Sequence, residues 1–353
     1  MDQHRNSLNA LRLLFAGAVI VSHAWLLGNY GPEPALFGIN LGRAGVMGFF
    51  AISGYLITLS AQHSRSVSEY ALARFARIYP ALIAASIAVA FVAAPIGAIL
   101  TGGSYDLGGA FAFLGAALAL TIGFLGPPHI GTSLLGNYDA DTWNGPLWTL
   151  SWEALCYVII AIVVMAARRR TDAGRASLGA VVLFVAVTSQ ITVRLQGGVI
   201  TSIVDVAMPL MAFFLAGSVL AHFRERIPVG LVPIILASAA AWALLASGLG
   251  SVLAPLPLSY LVLCAGSLRP FARIGARYDI SYGVYIYGWP IQQLLAALHV
   301  PATMPPLGYA ALTLVAVWPL GFLSCVLVEQ PAQRWRRAWT ARRNARQPQL
   351  IAD

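Results

Sequence analysis

The chain has 353 residues, 59% of them hydrophobic and only 10% charged, with a mean hydropathy of +0.75. A soluble domain of this length cannot bury so much apolar surface, so the composition excludes an ordinary soluble enzyme and indicates a polytopic helical membrane protein. The net charge of +9 does not argue for nucleic acid, because all 22 basic residues are arginine and they gather between apolar runs, where they orient a membrane protein.

The first apolar run, 8–28, is long enough to span a bilayer. No small-residue cleavage site follows it, so it is expected to persist as the first span. Arg12 and His23 lie inside it. Ionisable groups are costly in hydrocarbon and mark function by default. Eleven residues is about three helical turns, so both side chains share one face, roughly 16 Å apart along the axis.

Further spans are expected at 44–61, 78–100, 147–167, 176–194, 203–222, 228–247, 251–267, 280–299 and 306–328. The runs are continuous and do not alternate, which excludes a barrel. An eleventh run covers 110–126, and the arginines decide its fate. Arg65, Arg74 and Arg77 precede the span at 78, and Arg168, Arg169 and Arg170 follow the span ending at 167, so both of these ends are cytoplasmic. Whatever lies between must start and finish outside, and 110–126 then reads as a re-entrant or interfacial helix ending at Gly126-Pro127-Pro128.

The expected fold is therefore all-α, with about ten crossings and both termini cytoplasmic. Only Arg43 and Arg194 then fall outside, and the outer loop 127–146 carries Asp139 and Asp141 but no arginine. The chain divides into a transmembrane domain, 1–331, and a basic tail, 332–353, read as an anchor at the anionic inner leaflet. Cys156, Cys264 and Cys325 sit in apolar segments at spacings that suit neither a disulfide framework nor a metal site, and no metal is expected.

Depth along the spans brings candidate residues together. His23 lies about five residues, and Glu153 about six, from the outer end of its span, so both are roughly 8 Å below the surface. A carboxylate and an imidazole at one depth can form a hydrogen-bonded pair that removes a proton from a hydroxyl. Arg12, Arg74 and Arg77 lie toward the cytoplasmic side, where guanidinium forks suit the phosphates of an anionic cofactor. Gly45, Gly48 and Gly54 read as close helix-packing positions. Tyr55, Tyr79, Tyr282 and Tyr285 are candidates to touch cofactor or substrate. Asp205 and Asp279, near span ends, read as solvated. Glu329, at the cytoplasmic end of the last span, has two open readings, a partner for an arginine of the inner cluster or a residue without that pairing.

Several segments resemble the acyltransferase-3 family of membrane O-acyltransferases. Asn9-Ala10-Leu11-Arg12, with Val19 to His23 following, resembles its opening motif. The segment from Gly42 to Ile57, with Gly48-Phe49-Phe50-Ala51-Ile52-Ser53-Gly54-Tyr55 at its centre, resembles its second. Arg74-Phe75-Ala76-Arg77-Ile78-Tyr79-Pro80 is similar to its arginine motif, and Trp148-Thr149-Leu150-Ser151-Trp152-Glu153 with Tyr157 to its glutamate motif. Ser281-Tyr282-Gly283-Val284-Tyr285 and Glu329-Gln330-Pro331 resemble its two late motifs. The resemblance runs in order along nearly the whole chain.

The resemblance implies a multi-pass protein of the bacterial inner membrane. Such a protein takes acetyl, or another acyl group, from cytoplasmic acyl-CoA and passes it to a hydroxyl of an envelope polysaccharide, glycolipid or other glycan. It assigns the essential histidine to His23, the glutamate to Glu153, and the arginines to Arg12, Arg74 and Arg77. The expected partners are acetyl-CoA as co-substrate, a sugar acceptor and the lipid bilayer, with no nucleic acid; the oligomeric state is not read from the sequence. One departure stands out: where the family carries a histidine before Trp-Pro, this chain has Gly288. Two alternatives of function stay open, the same reaction on a small secondary metabolite such as a macrolide, and a glycolipid flippase without chemistry; within the acyltransferase reading, His23 as general base and a covalent acyl-histidine relay both stay open.

Overall fold

The computed structural model describes residues 6–166, 200–268 and 270–346. The expected span at 176–194, together with Arg168, Arg169, Arg170 and Arg194, lies outside the described residues, as does the side chain of Asp205.

Helix α1, Leu8–Leu27, leads into a two-stranded antiparallel hairpin, β1 (Ala35–Leu36) and β2 (Ile39–Asn40). Its turn, Phe37-Gly38, has both residues at positive φ, the conformation that matches strand twist in a two-residue hairpin. Asn40 caps α2, Leu41–His63, by accepting from the Arg43 N–H at 2.7 Å. Helix α3 runs from Val67 to Ala88, eleven residues earlier than the expected start at 78. Capping explains the difference: Ser66 accepts from Glu69 N–H, and the Glu69 carboxylate reaches back to Arg65 N–H. Arg74 and Arg77 therefore sit about two and three turns inside the helix. A π-turn at Val89–Ala93 carries the same axis into α4, Ala94–Thr101.

The apolar run at 110–126 forms two short helices, α5 (Leu107–Leu118) and α6 (Ile122–Leu125), with a reversal at Leu120, whose φ is +55°. Twelve residues reach about 18 Å, short of the roughly 30 Å hydrocarbon core. Helix α7 covers Leu147–Ala166 and α8 Ile200–His222. Then come α9 (Leu231–Ala246), α10 (Gly250–Leu253) and α11 (Pro255–Ser267). The break in the run expected at 251–267 falls at Pro255, which has no N–H to continue a helix and opens the next. Helix α12 is Ser281–Ala297 and α13 Pro306–Ser324. A second π-turn, Cys325–Glu329, joins α13 to α14, Gln330–Arg346. The basic tail is thus largely helix, and it docks on α3 through Gln333 to the Ala76 carbonyl (2.9 Å) and Arg343 to Ser68 (2.8 Å).

Among the described residues, five helical stretches are long and apolar enough to cross a membrane: Leu8–Leu27, Leu41–His63, Val67–Thr101, Leu147–Val164 and Pro306–Arg343. Shorter apolar stretches lie at Leu107–Leu118, Val206–His222, Leu231–Ala246 and Pro255–Ser267. The centre of the bundle is built on very close approach of α2 and α8. A Cβ on Gly54 would lie 1.8 Å from the Phe214 carbonyl oxygen, and one on Gly217 would lie 2.1 Å from that of Ala51. Gly45 and Gly48 likewise face Phe15 of α1. These positions are packing contacts, as their spacing implied. The three cysteines are buried and free.

Candidate active site

Two cavities open toward opposite ends of this bundle. One, of about 480 Å³, is lined by Ser22, His23, Glu33, Thr149, Tyr285 and Trp289 among others. The His23 ring stands edge-on to Trp289, with centroids 4.7 Å apart and planes at 79°. Trp289 is itself fixed, since its indole N–H donates to the Thr142 carbonyl at 2.8 Å. Neither ring nitrogen of His23 bonds to another protein group among the described residues, and the ring borders the cavity. Its nitrogens are thereby left for a ligand. One residue away, Ser22 donates to the Glu33 carboxylate at 2.6 Å.

The second cavity, about 370 Å³, is bordered by Arg12, Arg74, Arg77, Glu153, Arg336 and Arg337. A narrow void of about 50 Å³ lies between the two. It shares Thr149 and Tyr285 with the His23 cavity, and Arg12, Ser53, Glu153 and Tyr282 with the arginine cavity. Arg12 and His23 thus mark two ends of one line of voids along α1.

The arginines divide into two kinds. Arg12 and Arg77 are paired. Arg12 meets Asp279 at 2.7 Å, and Arg77 meets both Asp279 (3.2 Å) and Glu329 (3.4 Å). Of the two readings of Glu329, the paired one is present. Asp279, expected to be solvated, instead bridges two guanidinium groups. Burial alone would raise its carboxyl pKa, but Arg12 and Arg77, with the Ser281 hydroxyl and N–H, hold it down at about 2. Arg74 has no carboxylate partner among the described residues. It donates to the Ser60 hydroxyl at 3.0 Å and lies over the rings of Tyr70 and Tyr157.

Glu153 is held differently from the sequence expectation. Its Oε1 accepts from Ser53 (2.8 Å) and Tyr157 (2.7 Å), and it lines the arginine cavity and the connecting void. The expected hydrogen-bonded pair with His23 does not form. The depth estimate fails because α7 does not start at the surface. The preceding loop is tucked into the bundle: Trp143 and Asn144 are buried, with Trp143 donating to Ser133 and Asn144 to the Ile286 carbonyl. Counting residues from a helix start that is itself covered by protein therefore does not measure depth below water.

Gly288 also has a physical reading. A Cβ there would lie 2.9 Å from Cγ1 of Ile20, so α12 and α1 touch where a larger side chain would sit. Arg336 and Arg337 were missed as site residues because the tail was read by charge alone. With Gln333 they form an i, i+3, i+4 set on one helix face, and that signal was present in the sequence.

Known proteins resemble this chain along nearly its whole length. The acyltransferase domain model of the acyltransferase-3 family matches residues 5–327. An O-acetyl transferase of Shigella phage Sf6 is 33% identical, over 92% of this chain and 95% of its own length. Nodulation protein 10 of Rhizobium leguminosarum bv. viciae is 29% identical, over 96% of both chains. No solved structure matches. The chain belongs to the acyltransferase-3 family and is an acyltransferase.

Proposed function

We propose that the protein is an integral membrane O-acetyltransferase that moves acetyl from cytoplasmic acetyl-CoA to a hydroxyl of an envelope sugar, polysaccharide or glycolipid. The observation that carries this reading is the line of voids joining an arginine-walled cavity to a cavity holding an unbonded histidine. Acyl-CoA enters on the arginine side, which the positive-inside pattern assigns to the cytoplasm. Its phosphates rest among the guanidinium groups. Its thioester arm extends along α1 past Glu153, whose carboxylate, fixed by Ser53 and Tyr157, is placed to accept amide N–H groups of that arm.

In the outer cavity His23 acts as general base on the acceptor hydroxyl. The alkoxide oxygen attacks the thioester carbon, the carbon–sulfur bond breaks, and the CoA thiolate leaves and takes up the proton. Trp289 holds the imidazole by its ring edge, so the nitrogens stay open to the acceptor. The test is labelled acetyl-CoA supplied to proteoliposomes of the purified chain with an envelope glycan fraction. Label on a sugar hydroxyl supports the proposal. Movement of glycolipid across the bilayer without label would replace it with transport.

A further inference from the structure

We infer that Arg336 and Arg337, on the last helix, together with Arg74, form the phosphate grip of the donor cavity, while Arg12 and Arg77 serve as its charge-balanced scaffold. This rests on the acyl-CoA reading above and assigns its anionic end to particular residues. Charge counting comes first. Arg12 and Arg77 face Asp279 and Glu329, two cations against two carboxylates, within 2.7–3.4 Å. That cluster is close to neutral and has little net attraction left for an incoming polyanion. Arg74, Arg336 and Arg337 border the same cavity, and none of them makes an ion pair among the described residues.

The second observation is an orphan donor. The Nε of Arg336 is buried without a hydrogen-bond partner, and so is the Nε of Arg74. Buried donors left open are costly, and a guanidinium edge presents Nε and Nη together in the fork that fits two phosphate oxygens. The third observation is position. Gln333 ties α14 to the Ala76 carbonyl, next to Arg77, which presents the 333/336/337 face to the cavity while Arg334 turns aside to bond Gln330. The ligand chemistry is that of an acyl carrier bearing several phosphates, bound by at least two guanidinium forks at once. The tail helix is then a wall of the donor site as well as a topological anchor.

The experiment uses the full chain in proteoliposomes and two donors: acetyl-CoA, and acetyl-pantetheine, which has the thioester arm without phosphates. R336Q/R337Q should raise KM for acetyl-CoA about tenfold or more, with kcat and the KM for acetyl-pantetheine unchanged. R342Q removes charge from the same helix outside the cavity and should leave both donors as in wild type. An unchanged KM for acetyl-CoA in R336Q/R337Q overturns the inference, as does an equal rise for both donors, which would mean a loosened helix. Failure of the acyl-CoA reading itself is seen separately, as no transfer from acetyl-CoA by the unmodified protein.

Discussion

The hydroxyls of Thr149 and Tyr285 meet at 2.8 Å, buried, at the point where the His23 cavity runs into the connecting void. The pair forms a septum. Behind it lie Arg12, Ser53 and Glu153, and in front lies His23. A thioester arm travelling along α1 must displace or pass this contact. On the acyl-CoA reading proposed above, the septum would keep water in the His23 cavity away from the thioester until the arm is in place. Y285F keeps the ring and loses the hydroxyl's contacts with Thr149 (2.8 Å) and the Pro146 carbonyl (3.4 Å), together worth about 1–2 kcal/mol, so transfer should change only several-fold. Y285A removes the ring, and should lower transfer while raising hydrolysis of acetyl-CoA in the absence of acceptor. Measuring free CoA release with and without acceptor checks both; an unchanged hydrolysis rate in Y285A removes the septum function.

His23 makes no bond that the fold depends on, apart from its edge contact with Trp289. H23A should therefore fold and insert normally while losing transfer by about 10²–10⁴-fold, the usual scale for a general base. Size-exclusion profiles in detergent and labelled-acetyl transfer are the two readouts. Full activity in H23A would sink the base assignment.

Asp279 predicts a pH dependence of stability. Its carboxyl titrates at about 2 in the folded chain, below the ordinary 3.8. A depressed carboxylate contributes stability that is complete above its unfolded pKa and is lost as pH falls through the folded one. The contribution is about 2 kcal/mol at neutral pH. D279N should lower the unfolding temperature in detergent by a constant margin from pH 8 down to about 4, and the margin should shrink below that. The same variant frees Arg12 and Arg77 from their shared partner. A margin that stays constant down to the lowest accessible pH contradicts the ion-pair account.

How far the sequence carried depends on which physical term was being read. Helix identity and the close-packing roles of Gly45, Gly48 and Gly54 followed from hydropathy and spacing, which are local. The family motifs point to the candidate site residues by resemblance. Depth was not legible. The estimate that paired Glu153 with His23 assumed that every span starts at a membrane surface, and the tucked loop around Trp143 and Asn144 breaks that assumption. Asp279 was misread for a related reason. Proximity to a span end says nothing of which guanidinium groups converge there from α1 and α3.

Gly54 offers a test of the scaffold alone. Its α-carbon faces the Phe214 carbonyl so closely that an added methyl group must push α2 and α8 apart. G54A should cost about 1–3 kcal/mol, read as a lower unfolding temperature. Activity should fall alongside it, because Ser53, the neighbouring residue, positions Glu153. An unchanged unfolding temperature would mean that the two helices are less tightly apposed.

Glu153 is the residue on which the two accounts of catalysis part. If its carboxylate swings up to orient His23 in the working complex, removing its charge alters the basicity of the imidazole, and the acid limb of the kcat/KM–pH profile moves. If it stays with Ser53 and Tyr157 and holds the donor's arm, that limb stays fixed and the donor's KM rises. E153Q separates the two, since an amide oxygen still accepts from both hydroxyls and preserves the local fold. The two bonds to one oxygen, and the buried septum between this residue and the His23 cavity, favour the second outcome. E153Q should therefore raise KM for acetyl-CoA several-fold with the acid limb unmoved. A displaced limb with unchanged KM would restore the direct histidine–carboxylate pair.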